Sequence, residues 1–196
     1  MLKIDKDRVT NVNLADLIRS RRSISAFRPD PIPDGMIESL LETAVYAPNH
    51  RMTEPWRFVY ITGDSVMTYA AIRRDMAMPG FLKMDPATRE VAANGTYHKF
   101  ADVPAYLLVI MDVNSKAEIA EEDYAACAAL IQNFLLLAWA HGIGSCWKTL
   151  KDDIRLKTFI GLQENERSVG IIHLGYPAEI PVSHRKSALD RLTYLS

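Results

Sequence analysis

The sequence predicts an α+β fold, in which a small mixed or antiparallel sheet is flanked by helices. Segments with helical spacing and segments rich in β-branched and aromatic residues occur in mixed order, as five or six helices and four strands. The strands are not joined by regular strand–helix repeats, so α+β is favoured over α/β. The 196 residues correspond to a single domain, or to one protomer of an intertwined dimer.

The most apolar stretch, residues 121–144, predicts a long central helix. Glu121 to Asp123 place negative charge at its start, and Gly142 and Gly144 follow its end. Apolar residues on every face are typical of a helix in a core, an interface or a membrane. The acids at its start and the polar residues at its middle argue against a membrane span. The helix therefore packs against a partner subunit, or lies in the core of a monomer.

The segments before this helix predict three helices and two strands from their hydrophobic spacing and caps. They are a helix capped by Asn13, a helix from Asp34 to about Ala47, a strand over 56–61, a helix from Asp64 to Met76, and a strand over 106–113. Residues 1–11 are polar and are predicted to form a loose arm or an extension onto a partner.

Residues 77–100 give a mixed signal. Pro79–Gly80 predicts a break, Pro86 the start of a short helix, and Asn94–Gly95 a turn. A variable segment between core elements is where a substrate lid or a partner-reaching arm is expected.

The segments after the apolar helix are shorter. They are a strand or turn over 145–148, a helix from Asp152 or Asp153 to about Ile160, a strand over 169–174, and a tail over 178–196. The tail has little periodicity of its own, and we expect an arm that crosses to a second subunit.

Composition excludes several classes of function. The net charge of −1 gives no support for a nucleic-acid or acidic-membrane partner. Cys127 and Cys146 are predicted to be buried thiols rather than a disulfide or a redox pair. The start of the chain has no apolar signal-peptide segment, so we expect a cytoplasmic protein. No spacing typical of a metal site, a Rossmann or P-loop nucleotide site, or a GxSxG hydrolase is present.

Three short segments are candidates for binding chemistry. Arg21–Arg22–Ser23 combines two guanidiniums and a hydroxyl that fit a phosphate or another dianion, or it is a solvated basic face. Trp147–Lys148–Thr149 follows small residues that permit close approach of a ligand, or it is a helix end before a sheet edge. The loop over 49–55 carries His50, which is either a site residue or an exposed structural one.

The chain resembles the FMN-dependent nitroreductases over nearly its whole length. The order of its motifs carries the resemblance rather than any one of them. They are Arg21–Arg22–Ser23 with Phe27, Glu42–Thr43–Ala44, Ala47–Pro48, 54–59 (EPWRFV), Val103–Pro104–Ala105, 142–147 (GIGSCW), 174–177 (LGYP) and Arg185–Lys186. His50 resembles a subgroup of small nitroreductases with an Ala-Pro-x-His loop.

The resemblance implies a nitroreductase-like fold and a domain-swapped homodimer with two FMN molecules at its interface. Arg21, Arg22 and Ser23 would hold the phosphate and ribityl chain, joined by Arg185 from the tail. The residues that would line the flavin ring and phosphate from the same subunit are Trp147, Lys148 and Thr149. The residues that would reach the partner's flavin are Pro48, Asn49, His50 and Met52.

The resemblance also implies a ping-pong reaction in which hydride passes from NADH or NADPH through FMN to a nitroaromatic, quinone or similar small oxidant. No side chain need act as a covalent catalyst, because the cofactor carries the chemistry. Ser25 stands at the cofactor-facing position where many members carry Arg or Lys, and Met52 and Glu54 replace Asn and Gln of the usual motif. Alternatives are a non-enzymatic flavin-binding or regulatory protein, or another flavin chemistry such as dehalogenation or flavin cleavage.

Overall fold

The computed structural model describes residues 13–195, so the arm predicted over 1–11 and the last residue of the predicted tail lie outside the described part. The described residues form a four-stranded antiparallel sheet with helices on both faces. The elements are α1 Leu14–Ser20, α2 Met36–Ala44, β1 Trp56–Ile61, α3 Asp64–Phe81, α4 Pro86–Ala101, β2 Ala105–Asp112, α5 Ala117–Ala140, β3 Gly144–Lys148, α6 Ile154–Ile160 and β4 Glu166–Gly175. Short 3-10 turns cover His50–Met52 and Ala188–Arg191.

The sheet has the strand order β1-β2-β4-β3, so β2 and β4 occupy its centre. Their apolar runs are buried on both faces, which explains why β2 reads as a continuous hydrophobic segment. The α+β class is confirmed, and every described ladder pair is antiparallel. The register between β2 and β4 shifts between Val109 and Ile110, opposite Gly170.

Two hydrophobic cores lie on the two faces of the sheet because alternate side chains of a strand point to opposite sides. The first packs β2 and β4 against α2 and α5, with Leu107, Leu130 and Phe134 at its centre. The second packs the same strands against α3, α4 and α6, with Tyr69 and Tyr106 at its centre.

Helix α5 begins one turn earlier than predicted, at Ala117 rather than Glu121. Ala117 to Ala120 continue the helix because they include good helix formers. The acids therefore lie inside the helix, and Asp123 is buried. The helix is long and apolar enough to span a membrane, but 44% of its most hydropathic window is buried within the described fold, as in a core helix.

Residues 77–100 are more helical than predicted. Pro79 and Gly80 lie inside α3, and Asn94 and Gly95 lie inside α4. Both predictions of a break were wrong because α3 and α4 pack along each other, and tertiary packing outweighs local propensity. Pro86 does begin a helix, with the Asp85 side chain as its cap, but that helix has 16 residues.

The remaining boundaries differ by a few residues. The N-cap of α2 is Gly35 in the left-handed conformation (φ 74°), not Asp34, and the helix ends at Ala44, before Ala47. Glycine takes this conformation without steric cost. Strand β4 begins at Glu166, three residues before the predicted start, because the β2 residues Ile110 to Asp112 continue the ladder. The predicted caps Asn13 and Asp153 accept hydrogen bonds from the first turns of α1 and α6.

Candidate functional site

The turn after α1 lies alongside strand β3. Arg21 caps α1 with an extended backbone (φ −56°, ψ 136°), which directs the chain away from the helix axis. Ser23 then forms a parallel bridge with Ser145, and the Ile24 N–H donates to the Ser145 carbonyl at 3.0 Å. The basic turn predicted from the sequence is therefore attached to the edge of the sheet.

Three guanidiniums cluster at this turn. Partial burial, followed by the positive charges of Arg185 and Arg22, lowers the pKa of Arg21 from its ordinary value. Among residues 13–195, none of these three arginines pairs with a carboxylate. Like charges held together without a counter-ion favour binding of an anion.

Arg22 has unused hydrogen-bonding capacity. Its Nη1 donates to the carbonyls of Arg19 (2.6 Å) and Arg21 (2.9 Å), which fixes the side chain against the backbone. Its Nε is buried and has no partner within the described residues. Since buried donors are nearly always satisfied, this atom indicates a missing acceptor.

Strand β3 carries the second predicted segment. Trp147 is 37% exposed, and its indole lies against Gly170 of β4, where any side chain would collide with it. Lys148 and Thr149 follow at the exposed end of the strand. The Ser145 side chain is fully buried, and its Oγ has no hydrogen-bond partner in the described part of the chain.

The third predicted segment is a loop with unusual backbone conformations. Arg51, Met52 and Glu54 have φ values of 63°, 53° and 45°, which non-glycine residues rarely adopt. The loop is attached to α5: His50 Nδ1 lies 2.9 Å from Glu122 Oε2, and the Thr53 hydroxyl donates to Asp123 Oδ1 at 2.5 Å.

The structure brings together some of the predicted residues but not all. Arg21, Arg22, Ser23 and Arg185 lie around the end of α1, next to β3. Within residues 13–195, no hydrogen bond or ion pair joins the loop carrying Asn49, His50 and Met52 to this group. Pro48 enters that loop, and Ser25 is exposed beyond the basic turn.

Sequence reasoning missed the residues that support these segments, namely Gly170, Thr53 and Asp123. A charged residue in an apolar helix is a signal for Asp123, although its place beside Glu121 and Glu122 predicts a helix start instead. The partner of Asp123 lies 70 residues away in the sequence, so the spacing gave no indication of it.

The fold and the site define a class of protein: an α+β protein with an arginine cluster beside the edge strand of an antiparallel sheet, which pairs with no carboxylate among residues 13–195. Residues 18–176 match the Nitroreductase family, and the chain belongs to that family.

Similar proteins cover almost the whole chain. YfhC of Bacillus subtilis, which bears the name putative NAD(P)H nitroreductase, is 41% identical over 92% of this chain and 93% of its own. A nitroreductase-like protein from Bacillus cereus has a TM-score of 0.80 at 28% identity, covering 95% of this chain and 98% of that one. A nitroreductase with bound FMN from Bacteroides fragilis has a TM-score of 0.71 at 25% identity, covering 95% of this chain and 100% of that one.

Proposed function

We propose that the protein is an FMN-dependent NAD(P)H oxidoreductase of the nitroreductase type. The observation that carries this proposal is the cluster of Arg21, Arg22 and Arg185, which has no counter-ion in the described residues of a nitroreductase-family chain. FMN bound to the Bacteroides fragilis neighbour and the nitroreductase name of YfhC support it.

The residues present fit the phosphate of FMN. The buried Nε of Arg22, which has no partner in the part of the chain that the structure describes, needs an acceptor. A phosphate dianion offers several oxygens to neighbouring guanidiniums. Ser23, fixed by its bridge to Ser145, adds a hydroxyl at the same turn. Arg185 brings a further positive charge from the tail.

Strand β3 provides the place for the rest of the cofactor. Trp147 gives an aromatic wall, and Lys148 and Thr149 extend the exposed end of the strand. A positive charge or backbone N–H group near the ring stabilises the negative charge of a reduced flavin. Lys148 takes this role, because Ser25 carries no charge where many family members have Arg or Lys.

A bound FMN would supply the redox chemistry in two separate half-reactions. It would receive hydride from NADH or NADPH in the first, and it would pass two electrons to a nitroaromatic, a quinone or a similar small acceptor in the second. The chain's own residues bind and orient the cofactor and need not form a covalent bond with substrate. Met52 and Glu54 stand where many family members carry Asn and Gln, so the polar contacts near the flavin differ from those of these members.

The functional unit is a homodimer. Helix α1 buries none of its residues within the described chain, and its Leu14 and Ile18 side chains are more than half exposed. The tail exposes a series of apolar side chains, which are Ile180, Val182, Leu189, Leu192, Tyr194 and Leu195. Exposed apolar surface of this extent favours a partner subunit. In the dimer, Pro48, Asn49, His50 and Met52 reach the partner's flavin, and residues 178–196 cross to the partner.

Residues 77–100 form the lid over the substrate pocket. They comprise the end of α3, its connection to α4, and α4 up to its last residue but one. Leu82, Met84 and Val91 are exposed on this segment and provide apolar contacts for a small aromatic acceptor. The protein acts in the cytoplasm, on small molecules rather than on nucleic acid or membrane.

A visible absorption spectrum of freshly purified protein, before and after anaerobic addition of NADH or NADPH, tests the proposal. We expect yellow protein that bleaches with at least one nucleotide and recovers its colour when a nitroaromatic or a quinone is added. Yellow protein that neither nucleotide bleaches would favour a flavin-binding protein or another flavin chemistry. Colourless protein that fails to take up added FMN would contradict the cofactor assignment.

A further inference from the structure

The loop over 49–54 is held in a conformation that its own sequence disfavours. Three of its residues, Arg51, Met52 and Glu54, have positive φ, and none of them is glycine. The left-handed region is unfavourable for residues with a side chain, because Cβ comes too close to the following carbonyl oxygen. Strain of this kind persists only where the surrounding structure imposes it, and it is concentrated at functional sites.

One anchor of the loop is internal. The Asn49 side-chain amide donates to the Thr53 hydroxyl oxygen at 3.3 Å, and its Oδ1 accepts from the Glu54 N–H at 3.3 Å. These contacts are long and exposed, so they are weak on their own.

The stronger anchor is Asp123 of α5. Its side chain is buried, with the residue only 4% exposed, and it accepts the Thr53 hydroxyl proton at 2.5 Å. A hydrogen bond to a buried carboxylate is strong because the group has lost its hydration and depends on the donor. His50 and Glu122, 2.9 Å apart but largely exposed on the His side, form a second link to the same helix.

We propose that Asp123 is a positioning residue that, through the Thr53 hydroxyl, holds the strained loop in the conformation that presents Asn49, His50 and Met52 to the flavin. This inference rests on the proposed function, which assigns those three residues to the cofactor. Asp123 and Thr53 need not touch the flavin, since they act through the backbone of the loop. The burial of an acid in α5 then has a reason that packing does not supply.

Thr53→Val tests the proposal because it keeps the shape of the side chain and removes the hydroxyl. Thr53→Ser is the rescue variant, since it keeps the hydroxyl. Ile61→Val removes one methylene from the second core, on the other face of the sheet, and controls for a loss of stability alone. Two quantities are measured on each variant: amide hydrogen exchange over residues 49–54 in flavin-free protein, and the dissociation constant of FMN.

We expect amide hydrogen exchange over residues 49–54 to be faster in Thr53→Val. We also expect this variant to bind FMN about tenfold more weakly, because it loses one charge-assisted hydrogen bond. Thr53→Ser and Ile61→Val should stay within about twofold of wild type in both measurements. If Thr53→Val fails to fold, Asp123→Asn replaces it. That variant keeps an acceptor without its charge, and we expect smaller changes in the same direction.

An unchanged rate of amide hydrogen exchange over residues 49–54 in these variants would overturn the anchoring by Asp123. Faster exchange with unchanged FMN affinity would overturn the positioning role, even though the anchor exists. A wild-type protein that does not bind FMN at all would instead overturn the proposed function and, with it, the flavin part of this inference.

Discussion

The indole of Trp147 occupies the space into which a side chain on Gly170 would project. The two residues lie on neighbouring strands, β3 and β4, and Gly170 faces the register shift between β4 and β2. The missing side chain lets the indole lie directly on the backbone of β4. The position of an aromatic residue in the candidate site therefore depends on a glycine of the neighbouring strand.

Gly170→Ala should displace Trp147. We expect its fluorescence to shift, FMN affinity to fall, and the free energy of unfolding to fall by about 1–3 kcal/mol, as for overpacked sites. Gly95→Ala is the matched control, because a methyl group there meets open space on α4. It should raise the free energy of unfolding by about 0.5–1 kcal/mol. Equal stability of the two variants in urea denaturation would contradict the steric argument.

Arg21→Ala should release FMN while leaving the chain folded. Removal of one guanidinium from the cluster takes away charge-assisted bonds to the phosphate, so we expect affinity to fall at least tenfold, or about 1.4 kcal/mol. The measurements are flavin content after gel filtration, together with the eluted mass. Arg74→Ala is the control, because this exposed arginine pairs with the adjacent Asp75. Full flavin occupancy in Arg21→Ala would show that the phosphate lies elsewhere.

His173 should make the protein sensitive to mild acid. Burial, with the positive charges of Lys148, Arg73 and Lys99, lowers the pKa of His173 to about 3. The unfolded chain takes up this proton below the ordinary histidine pKa of about 6.5, whereas the folded chain does not. The free energy of unfolding therefore decreases as the pH is lowered from about 6.5 towards 3, by up to about 1.4 kcal/mol per pH unit.

His173→Phe should remove this part of the pH dependence and keep the edge-on aromatic contacts with Tyr106 and Phe100. Urea denaturation between pH 5 and pH 7 measures the effect, with exposed His98→Gln as the control. A wild-type slope that persists in His173→Phe would assign the acid sensitivity to another group.

Glu166 should contribute stability at neutral pH through Arg57. The two side chains form two hydrogen bonds of 2.7 Å, and these bonds lower the pKa of Glu166. The contribution is complete above the unfolded glutamate pKa of about 4.3 and is lost as pH falls through the lower folded value. Glu166→Gln should lower the free energy of unfolding at pH 7 by about 1–3 kcal/mol, reduced by the partial exposure of Arg57.

Asp75→Asn provides the comparison for Glu166→Gln. It breaks the exposed pair with Arg74, and we expect a change within about 0.5 kcal/mol. Thermal or urea unfolding of both variants at pH 7 and pH 4 measures the difference. A Glu166→Gln variant as stable as Asp75→Asn would mean that the Arg57–Glu166 pair adds little to stability.

Local sequence signals predicted those structural features that depend on residues adjacent in the chain. The strand over 56–61 has the predicted bounds because aromatic and β-branched residues mark it. Asn94–Gly95 predicts a turn but lies inside α4, because the packing of α3 against α4 outweighs a turn preference. The basic turn was visible because Arg21 and Arg22 are adjacent. Its attachment to Ser145, and the anchoring of Thr53 by Asp123, join residues far apart in the sequence and leave no local pattern.

The bridge between Ser23 and Ser145 has a consequence for the order of folding. It connects the start of the described chain with the edge strand of the sheet, and β3 in turn pairs with β4, the last strand to leave the ribosome. Contacts of such long sequence separation form slowly, because loop-closure entropy opposes them. Under the proposed phosphate assignment, an incompletely folded chain therefore lacks the finished basic turn that would bind the phosphate. Free cofactor then binds the completed fold and not the unfolded chain, so the chain becomes more resistant to unfolding as cofactor concentration rises.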